Sequence, residues 1–325
     1  MSLDDLILSN SESLRFISTP LLTLYLPLIY RSEYNIRFWG LEHLHPFDTN
    51  KWGRVNSALI ESLANKNLIR LIEPNHSITD HELALVHDDK FIHDVNHKKS
   101  MIVSTSEVCL LYLIPMRLLQ RHLIRPLRYQ TTGTALGALV ALKYNFAINI
   151  GGGFHHCSAR RSGGFCFFGD ITLAIRSVWN YCKLNSDPMA YILIVDCDAH
   201  QGNGYARDVL LMNKEEKKHI YILDLYNARI YPRDEAAKTI IDREVILPYQ
   251  VEDEEYLELL KYHLNASFEL DKFKPNFIVY NAGTDILDGD PLGKLRISPQ
   301  GIIKRDEMVF MFAQHYNIPI LMLLR

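Results

Sequence analysis

The segment Asp196-Cys-Asp198-Ala-His200-Gln-Gly-Asn203-Gly204 follows the apolar run Tyr191-Ile-Leu-Ile-Val195. A short β-branched run reads as a buried strand, so two carboxylates and an imidazole fall where that strand should end. Asp198 and His200 are two positions apart and in extended geometry project to one side. They make a workable pair of metal ligands. Asp196 has the same parity and suits a supporting role behind them or beside a second ion. A helix N-cap would use one such aspartate. It does not account for three ionisable groups at a buried strand end, where carboxylates are costly unless paired or metal-bound.

Two further clusters carry suitable chemistry. Gly151-Gly-Gly-Phe-His155-His156-Cys157 follows another apolar run, and its glycines allow close backbone approach, so both rings can turn to one site. On its own the tandem pair would read as core histidines. Tyr280-Asn281-Ala-Gly-Thr-Asp285 could supply a third ligand, although alone it reads as an Asx-type turn. Two aspartates and one histidine around a divalent ion leave coordination positions open, as catalytic zinc requires. Two carboxylates also cancel the ion's charge and weaken it as a Lewis acid. Such a site needs a separate general base and a further electrophile for the substrate carbonyl. The tandem histidines meet the first need, and one can stay charged to stabilise an oxyanion. The chemistry is hydrolysis of an amide or similar bond by metal-activated water. Oxygen-rich ligation keeps Fe²⁺ and Mn²⁺ compatible beside Zn²⁺.

These clusters must be positioned by regular elements. The pattern predicts helices over 134–144, 170–183, 254–270 and from Ser298-Pro299 to about His315, the last with an N-cap serine and a first-turn proline. It predicts strands over 146–150, 191–195, 219–225, 276–280 and 318–324. Strands alternating with helices imply one mostly parallel sheet with helices on both faces. Ligands in such sheets bind beyond the carboxyl ends of the strands, where all three clusters fall. The first 130 residues read as more helical and irregular. One domain is the better reading, with no repeat, low-complexity tract or linker.

Composition sets the bounds. The chain has 325 residues, 48% hydrophobic and 22% charged, with net charge −3. There is no basic excess that would make nucleic acid a direct partner. Five dispersed cysteines without a C-x-x-C fit free thiols in a reducing compartment. The N-terminus is acidic (Asp4, Asp5, Glu12), unlike a signal peptide. The apolar stretch at 16–29, interrupted by Pro20 and Pro27, is too short for a membrane span, and the run at 108–119 reads as core. The expected location is the nucleus, the cytoplasm or both.

Other features read as structural. His81-Glu82-Leu-Ala-Leu-Val-His87 has the wrong spacing for a zinc H-E-x-x-H helix, and Thr79 with Glu82 makes a capping box instead. Arg117, Arg121, Arg125 and Arg128 read as a solvated helix face ending in a turn at Pro126. Residues 251–255 read as an acidic helix start. Dinucleotide, Walker and nucleophile-elbow patterns are absent.

Taken together, the motifs resemble the zinc-dependent histone deacetylases, most closely their class IV branch. Tyr34-Asn-Ile-Arg-Phe-Trp-Gly-Leu-Glu-His-Leu-His45-Pro46-Phe-Asp48 with Lys51-Trp-Gly-Arg54 looks like the class IV N-terminal signature. The segments at 151–157, 163–166, 196–204, 226–232 and 281–285 fill the remaining motifs in order. The resemblance implies an arginase/deacetylase α/β fold, with an N-terminal extension at 1–28 and the deacetylase domain at 29–325. It implies zinc on Asp198, His200 and Asp285, His156 as general base and acid, and His155 as its electrostatic partner. Asp196 would orient His155 and share a structural K⁺ with Asp224. Asn203, where many deacetylases have Asp, would support His156 as a neutral partner and favours class IV. Gly164, Phe165 and Tyr231 would line the channel for the acylated lysine side chains of histones or other proteins. Class IV members also remove long fatty acyl groups. The family's electrophile is a tyrosine in a Gly-Gly-Tyr segment just past the last strand, and Arg325 precedes that segment. A catalytically impaired acyl-lysine-binding form is therefore the alternative expectation, and an acetylpolyamine-type amidohydrolase a further one.

Overall fold

The computed structural model describes residues 25–38, 40, 48–63 and 68–325. Among these, eight strands form one sheet: β1 (Leu26–Ile29), β2 (Ile69–Ile72), β3 (Phe146–Asn149), β4 (Ile192–Asp196), β5 (Ile220–Tyr226), β6 (Arg243–Ile246), β7 (Phe277–Asn281) and β8 (Ile320–Leu323). Their order is β2-β1-β3-β8-β7-β4-β5-β6, and every pairing is parallel. Strands β4, β5, β7 and β8 are buried throughout, as expected of a parallel sheet covered on both faces. One apolar layer packs helices 125–144, 170–184 and 203–211 on one face, and another packs 253–269 and 299–315 on the other.

The expected fold is the observed one. From β4 the chain runs outward to β5 and β6, then returns to place β7 on the other side of β4. That reversal opens a crevice at the carboxyl ends of β4 and β7. Register sharpens it, because Asp196 pairs across the sheet with Asp224 on β5 and with Asn281 on β7. One row of polar side chains therefore crosses the sheet at its carboxyl edge.

Three local expectations are corrected. The first 130 residues contribute two strands, β1 and β2, to an edge of the sheet. Strand β1 begins at Leu26, and residues 1–24 fall outside the described residues. The run at 108–119 is only partly core: Leu111 and Leu119 are buried, but Leu113 is 79% exposed and Leu110 and Tyr112 lie open. Finally, there is no turn at Pro126. Helix runs from Met116 through Tyr144, with a π-helical segment at Gln120–Ile124. Proline has no N–H for the carbonyl four residues back and its ring clashes with it. The wider turn just before Pro126 accommodates that clash.

The capping box at Thr79 and Glu82 forms as expected. His87, beyond it, is a core group. Gly169 N–H donates to its Nε2 at 2.9 Å, its Nδ1–H donates to Ala159 O at 3.1 Å, and its ring stacks on Phe91. Burial lowers its pKa to about 4, against about 6.5 in an unfolded chain. The unfolded state then binds the extra proton, so stability present above pH 6.5 is lost as pH falls toward 4, by roughly 3 kcal/mol from this group. Urea titrations at pH 7 and pH 4.5 should show that loss, and a His87→Phe variant should show a flatter pH dependence. Equal slopes in both proteins would contradict this assignment.

Candidate metal and tandem-histidine site

The site is built from strand ends and the loops that follow them. Asp196, the last residue of β4, is fully buried. Its carboxylate accepts His155 Nδ1–H at 2.9 Å, Tyr205 Oη–H at 3.0 Å, Asn281 Nδ2–H at 2.9 Å and the Asp198 backbone N–H at 3.1 Å. The backbone then turns, and Asp198 and His200 face Asp285 from the loop after β7. His200 Nδ1 lies 3.2 Å from Asp198 Oδ1 and 2.7 Å from Asp285 Oδ2. Backbone N–H groups of His200 and Ala199 donate to the two carboxylates at 2.9 Å each. One ligand atom from each of Asp198, His200 and Asp285 lies within 4.8 Å of the others. Gly283 is needed for this approach, since a Cβ there would sit 2.4 Å from Asp198 Oδ2.

The histidine loop is pinned by Asp170, at the start of helix 170–184, which accepts the N–H groups of Gly153 and Phe154 at 2.8 Å each and the Thr134 hydroxyl at 2.7 Å. His155 and His156 bring their Nε2 atoms to 3.0 Å, so one ring donates to the other. His156 Nδ1–H donates to Asn203 Oδ1 at 2.9 Å. The Asn203 amide is oriented in turn by donating to Asp234 at 3.1 Å, and Asp234 is paired with Arg207. His155, His156, Asp196, Asp198, His200 and Asp285, from all three sequence clusters, thus meet at one place.

The electrostatics follow from burial and neighbours. Burial, then the positive charges of His155, Arg325 and His200, holds His156 well below the ordinary imidazole range, so it is a neutral base. Burial pulls His200 down, but its hydrogen bonds to Asp198 and Asp285 outweigh that and raise it to about 10. Burial raises Asp285, reinforced by Asp198. Burial also opposes the charge on Asp198, but His155 and His200 hold this carboxyl well below its usual range. Asp224 is pushed up by burial and by Asp196. Its Oδ2 accepts Gly202 N–H at 2.9 Å, while its Oδ1 has no partner among the described residues.

A cavity of about 690 Å³ opens over this centre, and His156, Gly164, Phe165, Asp198, His200, Tyr231 and Asp285 all line it. Tyr231 places its ring 4.9 Å from that of His156. Gly164 (φ +50°) has no room for a Cβ, which would meet His156 Cδ2 at 2.3 Å. Sequence reasoning overlooked Asp170, Tyr205 and Asp234, which act one contact behind the site. It also passed over Lys51 and Arg325, which line the cavity. The Arg325 guanidinium donates to Gly164 O at 2.9 Å. The acidic helix start at 251–255 does not line the cavity.

Comparison with known proteins agrees with this geometry. Residues 45–325 match the histone deacetylase domain family. Histone deacetylase 2 of Arabidopsis thaliana is 41% identical over 298 residues, covering 91% of this chain and 73% of that protein. An uncharacterized protein of Picosynechococcus sp. is 32% identical over 177 residues, 54% of each. The solved HD domain of HDA15 superposes with a TM-score of 0.67 over 92% of this chain and 82% of that one, at 20% identity, a likeness of fold. The chain belongs to the histone deacetylase family.

Proposed function

We propose that this chain is a zinc-dependent lysine deacetylase of the class IV type, hydrolysing acyl-lysine amides of histones or other proteins. The observation that carries this reading is the convergence of Asp198, His200 and Asp285 beside His155 and His156 at the base of one cavity. The donor set fits a divalent ion: the buried carboxylate of Asp198 and the partly buried one of Asp285 need a positive counter-charge, and one imidazole and two carboxylates leave coordination positions open. Zinc held by these three residues would supply Lewis acidity toward water and the amide carbonyl.

The protein's own groups do the rest. Neutral His156 takes a proton from the attacking water at Nε2 and returns it to the departing lysine nitrogen, leaving a carboxylate and a free amine. Asn203 fixes the tautomer of His156 by accepting its Nδ1–H. Asp196 fixes His155, and His155 is the electrostatic partner of His156. Gly164, Phe165 and Tyr231 form the lysine channel. Asp224, with its unsatisfied buried oxygen beside Asp196, suits a structural K⁺. The deacetylase domain is assigned to 29–325, together with the start of β1. Class IV assignment rests on the signature beginning at Tyr34, of which His45 and Pro46 lie outside the described residues, and on Asn203. The proposed setting is the nucleus or cytoplasm, and no described helix is long and apolar enough to cross a membrane.

A long acyl group is the favoured substrate extension. The cavity lining includes an apolar group, Leu287, Pro291, Leu292, Pro299, Ile302 and Ile303, beside the charged Asp48, Lys51, Glu107, Asp290 and Arg325.

Two measurements test this function. The purified chain should hold one zinc and hydrolyse acetyl- and myristoyl-lysine peptides. His156→Ala should keep the zinc and lose about 10²–10⁴ in kcat, whereas His200→Ala should lose the zinc. No stoichiometric metal, or undiminished turnover in His156→Ala, would sink the reading, and peptide binding without turnover would point to the impaired form. For chain length, Ile303→Asp should lower kcat/KM for the myristoyl peptide about tenfold, the worth of one partly buried aliphatic side chain, and leave the acetyl peptide unchanged. A parallel loss on both substrates would remove the apolar wall from acyl recognition.

A further inference from the structure

The continuous helix through Pro126 carries Arg117, Arg121, Arg125 and Arg128. Arg128 has a structural role: it donates to Ile78 O at 2.6 Å and pairs with Asp80 and Asn96. Arg121 and Arg125 do not. They enter a surface groove of about 580 Å³ together with Arg37, which comes from the segment after β1. Arg37 and Arg121 make no ion pair or hydrogen bond with any described residue. Arg125 makes a long contact to the Tyr129 hydroxyl, at 3.5 Å, and lies 5.6 Å from the centroid of the same ring. The single carboxylate among the groove's described residues, Glu33, meets Arg31 Nε at 2.9 Å and the Ser32 hydroxyl at 3.0 Å, both through Oε2, and its charge also acts on Arg125. Asn35 is committed as well, to Tyr30 and to Gly53 N–H.

Three guanidinium groups therefore share a concave site with a single carboxylate, Glu33, among the described residues that line it. Like charges four apart on a helix repel, and the chain as a whole carries net charge −3, so this is not part of a generally basic surface. The π-helical segment Gln120–Ile124 lies at the groove, so an irregular backbone holds the cluster. All three cations are arginine, whose planar fork matches the oxygens of phosphate in a way lysine does not. The volume is that of a small-ligand pocket.

We propose that this groove, which shares no lining residue with the deacetylase cavity, is an anion site for a small organic phosphate bearing two phosphate groups. Arg121 and Arg125 clasp one phosphate from the helix, and Arg37 engages the second from the opposite segment.

Calorimetric titration of the full chain at about 50 mM salt, where surface charges are weakly screened, tests this with fructose 1,6-bisphosphate, inorganic phosphate and citrate as probes. The bisphosphate should bind saturably, phosphate more weakly, and citrate more weakly than the bisphosphate. An R121Q/R125Q double variant should lose tenfold or more in bisphosphate affinity, about the share of charge-assisted contacts. R121K should fall in between. Because the unliganded cluster is repulsive, the double variant should melt no lower than the parent chain and should deacetylate peptides at the parent rate. Unchanged bisphosphate affinity in the double variant would overturn the proposal. So would citrate binding as tightly as the bisphosphate, which would mean charge alone. A melting temperature several degrees lower would also overturn it, by making the arginines structural.

Discussion

The buried carboxylate of Asp196 is the interaction on which the site depends. It sits at the end of β4 with no exposure, and ionised carboxylates survive there only when their lone pairs are filled. Four donors fill them, from the histidine loop, from helix 203–211, from the end of β7 and from its own chain two residues on. Each donor belongs to a different part of the constellation. Satisfying one carboxylate therefore fixes the His155 ring, holds β7 in register beside β4 and starts the turn that delivers Asp198. Removing any donor would expose the desolvation cost of the others, which is why such networks are held or lost together.

Beyond Asp196, the same carboxyl edge gathers more negative charge than it can hold without cations. Asp198 lies within electrostatic reach of both Asp224 and Asp285, and Asp196 of Asp224. His200 answers part of this by keeping its proton well past its normal range. A histidine raised by two carboxylates and an aspartate with an orphaned oxygen express the same deficit at two points. The donor atoms at Asp198, His200 and Asp285 converge on one of these points.

Much of this was legible in the residues, for identifiable reasons. Strands β3, β4, β5, β7 and β8 are mainly apolar runs, and runs of that kind alternating with helical spacing mark a buried parallel sheet. Ser298-Pro299 and Thr79 to Glu82 announced their caps because capping is local chemistry. Strands β1, β2 and β6 were not legible. They are four residues each and lie toward the sheet edges, where Arg70, Arg243 and Glu244 break the apolar pattern. Pro126 misled because a proline normally ends a helix, and only packing on both sides of 120–124 shows that a wider turn suffices. The run at 108–119 misled in the opposite sense: hydrophobicity was read as burial, yet apolar side chains also occupy surfaces. Asp170, Tyr205 and Asp234 carried no signal, since each acts through a tertiary contact that spacing cannot reveal.

Asn203 shows how little separates one proton balance from another here. A carboxylate at that position would accept the Nδ1–H of His156 and favour its protonated form. The amide accepts the same hydrogen bond without the charge. The charge is present one contact farther out, at Asp234, which receives the Asn203 amide hydrogen and is itself paired with Arg207. The geometry of a charged partner is thus kept while its field at the imidazole is neutralised by a guanidinium. His156 accordingly lies well below its ordinary range, held down by burial and by neighbouring cations. A base in this state is ready to take a proton and also gives it up readily, which suits a group that must return the proton to a departing amine. Orientation and basicity are set by different residues, so Asn203 can hold the ring without deciding its charge.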